Sequence, residues 1–261
     1  MSYRLSAFDR LEKYMHWLKR FTSIGYFKFS EKNMVSAIIV AAGQGTRMQG
    51  QQRKQYLSLA GIPILTRTLA IFDKCDRIKQ IILVIAQDDF DFCQKNIVEP
   101  AGLTRKIIKV PGGERRQESV FNGLEKVEPD CSIVVIHDGV RPFVRNEQLI
   151  ECIDGAREAG ACIMGLPAYE TLKQVDASDH IIRTLKRDDV WLAQTPQAFR
   201  HDLIRKAHDR ARMEGYSATD DACLVERLGA TVKILRGSRS NIKITIKEDL
   251  EMAQSILSND D

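Results

Sequence analysis

Six short apolar runs recur along the chain: Ala37–Ala42, Ile81–Ala86, Lys106–Val110, Ile133–Ile136, Ala161–Leu166 and Thr231–Leu235. They are rich in Ile and Val and are mostly continuous rather than alternating. A strand with one wet face alternates apolar with polar residues. A continuous run suits a strand covered on both faces, as in a parallel sheet between layers of helices. Helical spacing lies between the runs, over Leu65–Cys75, Glu118–Val127, Glu147–Ala159, His201–Glu214, Asp220–Leu228 and Lys247–Leu257. Thr245 followed by Glu248 reads as a capping box, and Thr219 and Asn146 read as N-caps. The pattern predicts an α/β fold, doubly wound around a mostly parallel sheet. Ligands bind such sheets at the carboxyl ends of the strands, so the residues just after each run are where chemistry is expected.

The segment Pro167–Trp191 breaks this rhythm. Glu170–Val175 and Ile181–Lys186 are β-prone and flank the polar turn Asp176–Asp179, which predicts a protruding hairpin arm over about residues 167–191. An isolated hairpin is marginal in water, so the arm is expected to pack against something, with another subunit as the natural candidate.

Charge divides the chain. The whole sequence carries 39 Lys and Arg against 35 Asp and Glu, and residues 1–33 hold seven of the former against three of the latter. The body from Met34 onward is therefore balanced. It lacks the broad basic footprint of a nucleic-acid binder, and local positive clusters within it point to a small anionic ligand. In the basic extension 1–33, Leu5, Phe8, Leu11, Met15, Leu18 and Phe21 recur at helical spacing. Two readings stay open for it: an amphipathic helix meeting a membrane or a partner, or a dispensable, helical or disordered extension ahead of a start at Met34. The domain proper is expected over residues 34–258. The six cysteines form no C-x-x-C pair, which predicts free thiols in a reducing cytoplasm. No apolar stretch reaches the roughly 18 residues of a membrane span, and no signal-peptide pattern opens the chain.

Four strand-end segments carry groups suited to chemistry. The first is Ala41-Ala42-Gly43-Gln44-Gly45-Thr46-Arg47-Met48, followed by Lys54. Small residues let backbone N–H groups approach an anion, and two cations beside them suit a triphosphate. The segment is neither a Walker A loop nor a dinucleotide fingerprint, and by itself it also reads as an ordinary strand-to-helix turn. The second, Gly112-Gly113-Glu114-Arg115-Arg116-Gln117-Glu118-Ser119, offers N–H groups and a hydroxyl at a helix start, or is simply a capped turn. The third, His137-Asp138-Gly139-Val140-Arg141-Pro142, puts a carboxylate at a central strand end, where Mg²⁺ could be held. An Asp in a tight turn is the plainer reading, and His137 alone reads as structural. The fourth puts Lys243 in the β-prone stretch Asn241–Thr245 before the last helix, where a solvated lysine is the usual outcome.

Together with Lys54-Gln55-Tyr56, Thr171-Leu172-Lys173, Trp191–Gln197 and Thr219-Asp220-Asp221, these segments stand in a consistent order over more than 200 residues. In that order and spacing the body resembles the 2-C-methyl-D-erythritol 4-phosphate cytidylyltransferase family of the non-mevalonate isoprenoid pathway. Residues 1–33 lie outside the resemblance. The resemblance implies a Rossmann-like nucleotidyltransferase fold and transfer of CMP from CTP to the sugar-alcohol phosphate, with release of pyrophosphate. It implies that Ala41, Ala42, Gly43, Gly45, Gly113, Glu114, Ser119 and Asp138 hold CTP, that Arg47, Lys54 and Lys243 are catalytic, and that Asp138 binds Mg²⁺. It implies further that Asp138, Arg141, Thr171, Arg187, Thr195, Thr219 and Lys243 contact the second substrate, and that the arm joins a homodimer in the cytoplasm. The chain departs from many relatives in having Gly139-Val140 after Asp138 and Glu170 before Thr171. Ribitol-5-phosphate cytidylyltransferases share the CTP loop, and a nucleotide-binding relative without catalysis is a further alternative.

Overall fold

A computed structural model describes residues 34–43 and 52–260. The helical pattern expected within residues 1–33 lies outside these, as do Gly45 and Arg47. The described residues belong to one unit, Asn33–Asp261. In chain order its strands are β1 Met34–Val40, β2 Ser58–Leu59, β3 Ile62–Pro63, β4 Ile78–Ile85, β5 Ile107–Pro111, β6 Cys131–Asp138, β7 Ala161–Pro167, β8 Lys173–Val175, β9 Ile181–Thr184, β10 Trp191–Arg200 and β11 Lys233–Arg236. The helices are α1 Ile64–Lys74, α2 Phe90–Cys93, α3 Arg116–Leu124, α4 Asn146–Ala159, α5 His201–Met213, α6 Asp221–Arg227 and α7 Lys247–Asp260.

Seven strands form one sheet in the order β11-β7-β10-β6-β1-β4-β5. The pairs β1–β4, β1–β6, β4–β5 and β7–β11 are parallel. Each expected run became one of these strands, within a few residues at either end. The continuous apolar sequence follows from cover on both faces. Ala37, Ile39, Ile81, Leu83 and Val135 pack with Leu65, Leu69 and Phe72 of α1 and Leu149 and Ile153 of α4. The alternate residues Ile38, Ile82, Val84, Val134 and Ile136 pack with Val120 and Leu124 of α3, Ile204 of α5 and Leu224 of α6. A smaller cluster of Leu59, Ile64, Val140, Ile244 and Ala253 brings α7 against the body.

The sequence runs did not mark β10. It lies between β6 and β7, antiparallel to both, with a register break opposite β7 between Gln194 and Gln197 and a cis peptide at Thr195–Pro196. The expected arm is present as the two-stranded β8–β9 hairpin, and its turn residue Asp179 has φ +62°. Three capping assignments shift by one residue. Asp220, not Thr219, caps α6 by accepting from the Cys223 N–H at 3.0 Å. Arg145, not Asn146, occupies the N-cap of α4, with the Gln148 side chain accepting its N–H. Because α7 begins at Lys247, the residue facing back is Asp249, not Glu248. Its carboxylate accepts the N–H groups of Thr245 and Ile246 at 2.7 and 3.0 Å. The stretch around Lys243 is irregular rather than extended strand.

The order of connections fixes where a ligand can sit. From β1 the chain builds outward through β4 and β5, then returns to lay β6 on the other side of β1. The segments leaving β1 and β6 therefore diverge and open a crevice at their carboxyl ends. Ala41–Gly43 leave one side of it and Asp138–Arg141 the other.

Candidate active site

Asp138 ends β6 and is buried, so its charge must be matched by partners. Its Oδ1 accepts from Arg116 Nε at 3.0 Å, and its Oδ2 faces Lys243 Nζ at 3.0 Å and Arg141 Nε at 3.4 Å. Burial raises the Asp138 carboxyl, but Arg116, Lys243 and Arg141 outweigh burial and hold it well below the usual carboxylate range. The backbone N–H of Asp138 donates to the Thr195 hydroxyl at 3.1 Å. Of the residues expected to meet substrate, Asp138, Arg141, Thr195 and Lys243 thus converge.

β10 and the irregular segment after β11 fix Lys243. The Asn241 side-chain amide donates to the Thr195 carbonyl at 2.8 Å, and the Gln194 amide donates to the Ser238 carbonyl at 2.9 Å. Arg141 donates to the Asn241 carbonyl at 2.7 Å, and the Ile244 N–H donates to the Val140 carbonyl at 3.0 Å. Asn241 and Ile244 are buried on either side of Lys243, so the lysine stem leaves a fixed backbone. The neighbouring His137 has its ring against Phe72, and its Nε2 faces the Arg141 carbonyl at 3.1 Å, so that nitrogen carries the proton. Burial pushes its pKa down to about 4. His137 is thus neutral near pH 7 and works as a brace, as its plainer reading held.

Across the crevice, close backbone approach assembles the loop after β1. A Cβ on Gly139 would lie 2.9 Å from the Ala41 Cβ, and one on Gly112 would lie 2.2 Å from the Ala42 Cβ. Glycine at these two positions lets the strand ends of β5 and β6 close on the β1 loop. Lys54 sits in a 3₁₀ turn, Lys54–Tyr56. Its neighbour Gln55 is buried and donates to the Ala41 carbonyl at 2.6 Å and to the Gly43 carbonyl at 3.3 Å. Asp89, past the end of β4, accepts from the Tyr56 hydroxyl at 3.0 Å and pairs with Arg53 Nε at 3.1 Å. The residues on both sides of Lys54 are thereby tied to the sheet end.

The second glycine segment is built by its own helix start. Ser119 Oγ accepts from the Gly113 N–H and donates to the Arg115 carbonyl, both at 3.1 Å. The Glu118 carboxylate accepts the Glu114 N–H at 2.9 Å. Ser119 and Glu118 therefore shape this turn, while the Glu114 side chain is exposed. Thr219 is exposed before α6. Thr171 and Arg187 are exposed on the arm, where Arg187 donates to the Tyr169 carbonyl.

Sequence reading missed two members of the cluster, Arg116 and Asp221. Arg116 stood inside a quoted segment with no role, yet it reaches Asp138 and also donates through Nη1 to Asp221 at 2.7 Å. These pairings span 22 and 105 residues, and no local spacing announces them. The signal that was available is the polar character of Gln194, Thr195 and Gln197 in a stretch that turns out to be a central strand.

The chain as a whole matches known proteins in sequence and fold. A family model described as 2-C-methyl-D-erythritol 4-phosphate cytidylyltransferase fits residues 35–259. The chain belongs to that family. The cytidylyltransferase of this name from Alkaliphilus oremlandii is 46% identical over 222 residues, covering 85% of this chain and 94% of the relative. The one from Pelotomaculum thermopropionicum is 44% identical over 223 residues, with the same coverage of 85% and 94%. Among solved structures, the 4-diphosphocytidyl-2C-methyl-D-erythritol synthase of Anaerococcus prevotii superposes with a TM-score of 0.78 at 35% identity, covering 87% of this chain and 97% of that one. The Thermus thermophilus cytidylyltransferase superposes at 0.70 with 30% identity, covering 86% and 99%. The family's helices and mostly parallel sheet are those described above. Among the described residues no helix is long and apolar enough to cross a membrane.

Proposed function

We propose that this chain transfers CMP from CTP to 2-C-methyl-D-erythritol 4-phosphate, giving 4-diphosphocytidyl-2-C-methyl-D-erythritol and pyrophosphate. The observation that carries the reading is the convergence on one crevice of the Ala41–Gly43 loop, the clamped Lys54 turn, and Asp138 with Arg141 and Lys243. A phosphate monoester is already a nucleophile near neutral pH, so no strong base is required. One of its oxygens attacks the α-phosphorus of CTP, the bond to the bridging oxygen breaks, and pyrophosphate leaves with that electron pair. Positioning and charge stabilisation are then the main catalytic contributions. Lys54 and, by the family resemblance, Arg47 supply positive charge to the α-phosphate and the leaving group. Lys243 and Arg141 meet the incoming monoester, and Thr195 orients Asp138.

In this reading Asp138, whose oxygens meet Arg116, Arg141 and Lys243 here, would exchange part of that pairing for Mg²⁺ when the nucleotide is bound. Mg²⁺ is commonly held by one or two carboxylates, with water and substrate phosphates completing its shell. Among the described residues no cluster of three or more His, Cys, Asp or Glu forms an all-protein cage, and Asp138 is kept ionised by its cationic neighbours. When bound, the ion would neutralise phosphate charge.

The arm supports a homodimer in this reading. Val175, Ile181 and Ile182 are large apolar residues exposed on β8–β9, beside Thr171 and Arg187 as candidate contacts to the second substrate. The unpaired cysteines fit a cytoplasmic setting.

Pyrophosphate release measured with Mg²⁺, CTP and either methylerythritol phosphate or ribitol phosphate tests the substrate. Exchange of CTP for ATP, GTP or UTP tests the base. Release confined to CTP with methylerythritol phosphate is expected, and preference for ribitol phosphate overturns the assignment. In the same assay Lys54→Ala should lower turnover by roughly 10²–10³, with a smaller effect on CTP affinity. Near-normal turnover would remove Lys54 from the mechanism.

A further inference from the structure

The chain of charges that holds Asp138 does not stop at Arg116. Asp221, the first residue of α6, is 1% exposed and accepts from Arg116 Nη1 at 2.7 Å. Its other oxygen faces His208 Nε2 at 3.0 Å, and that imidazole is 1% exposed as well. An ionised carboxylate only accepts, so Nε2 carries the proton and donates. The series His208, Asp221, Arg116, Asp138 therefore links α5, α6, α3 and β6 through three consecutive hydrogen bonds, each 3.0 Å or shorter.

A second route joins the same elements. Gln197 of β10 donates to Asp220 at 2.8 Å, and its carbonyl oxygen accepts the Ala222 N–H at 3.3 Å. This bolts the start of α6 to β10. Two residues earlier on that strand, Thr195 takes the backbone N–H of Asp138. The side chain and the backbone of Asp138 are thus anchored to one unit, made of β10 and the first turn of α6.

We propose that Asp221 is a positioning residue for the transfer reaction, acting through Arg116 to hold the Asp138 carboxylate in its working orientation. The inference rests on the cytidylyltransferase reading and adds a residue to it. Burying a carboxylate and a guanidinium costs desolvation, and well-packed apolar side chains commonly serve stability equally well. The geometry accounts for that cost. Arg116 offers Nη1 to Asp221 and Nε to Asp138, while its Nη2 finds no hydrogen-bond partner among the described residues. With Asp221 ionised, the guanidinium is shared between two carboxylates, and Asp138 keeps Oδ2 for Lys243 and Arg141. Without that charge, Arg116 has one carboxylate left and can turn its full fork onto Asp138. That would draw the carboxylate away from Lys243, and the cation that meets the second substrate would lose its place.

Asp221→Asn preserves shape and removes the charge. Steady-state rates normalised to folded protein, with KM for both substrates, are measured for wild type, Asp221→Asn, Arg116→Gln and the double variant. The expected result for Asp221→Asn is a kcat lowered about 10- to 100-fold, as for other residues that orient a ligating group, with KM for CTP within about threefold of wild type. On the Arg116→Gln background the same change should cost less than about twofold, because its route to Asp138 is already cut. A residue that only stabilises the fold would lower the melting temperature and leave normalised kcat intact, and that result overturns the proposal. So does a penalty of equal size on both backgrounds. Should Asp221→Asn fail to fold, Arg116→Lys serves instead. Lysine keeps the charge but not the planar fork, so kcat should fall with KM for CTP preserved, and an unchanged kcat overturns the proposal. If wild type itself transfers nothing from CTP, the functional reading fails, which is distinct from active wild type with indifferent variants.

Discussion

Asp73 shows how much one carboxylate can do away from the crevice. It ends the buried face of α1 and accepts the N–H of Thr104 with both oxygens at 3.1 Å, the Thr104 hydroxyl at 3.1 Å and the Arg105 N–H at 2.8 Å. Burial raises its pKa, but these donors outweigh it and hold the group below its ordinary range. The folded-state value is therefore lower than the unfolded one, near 4. The stability this provides is complete above the unfolded pKa and fades as pH falls through the folded value. Asp73→Ala should cost about 1–3 kcal/mol at pH 7, the range for stranding hydrogen-bonded partners. Urea unfolding at pH 7 and again near pH 3 checks this: the gap between variant and wild type should narrow at the lower pH. A gap of constant size would mean that packing, not charge, is what Asp73 contributes.

At the scale of elements, the 3₁₀ turn Lys54–Tyr56 is held from two directions, by Gln55 on the Ala41 and Gly43 carbonyls and by Asp89 on Arg53 and Tyr56. Gln55→Ala leaves the Ala41 carbonyl without its buried donor and frees the turn from the β1 loop. The expected outcome is a turnover decrease of roughly tenfold or more, because a small misplacement of a charge-stabilising group is costly. Asp89→Asn, which removes one charge but not the shape of its clamp, should cost less. Measuring kcat for both separates the two supports, and a greater loss for Asp89→Asn would reverse their ranking. The same elements explain what the sequence could reveal. β1, β4, β5 and β6 were legible because helices pack on both faces of the sheet and most of their central residues are apolar. β10 was not, because its central residues are polar for the site's sake. Gln194 holds Ser238, Thr195 holds Asp138, Gln197 holds Asp220, and Pro196 interrupts the run. Asp138 could be singled out from its position at a strand end, and Lys243 only through the family resemblance. Their pairing, and the reach of Arg116 to Asp221, depend on strands laid side by side in an order that no local pattern states.

At the scale of the whole molecule, the arm is the element on which the proposed homodimer turns. Its two strands are joined by polar pairs, Lys173 to Thr184 at 2.6 Å and Arg183 to Gln174 at 2.7 Å, while Ile181 and Ile182 are 63% and 58% exposed. A free two-stranded ribbon is marginal in water, and adjacent exposed isoleucines add an unfavourable apolar surface. Trp191 and Leu192, which open β10 beyond the arm, are exposed too. A second copy of the chain, packing arm against body in an isologous contact, would cover such surface on both subunits at once. Ile182→Asp would place a charge in the proposed contact, where burying it unpaired is costly. Sedimentation velocity should find wild type as a dimer and the variant shifted toward monomer, with the melting temperature of the body little changed. Thr171 and Arg187 lie on the arm, so loss of the dimer should also raise KM for the sugar-alcohol phosphate while leaving KM for CTP near its wild-type value. A variant that is monomeric yet binds both substrates normally would confine the arm to assembly. A wild type that sediments as a monomer with full activity would remove the partner subunit from the site altogether, and Arg141 and Lys243 would then have to hold the second phosphate without help from the arm of another chain.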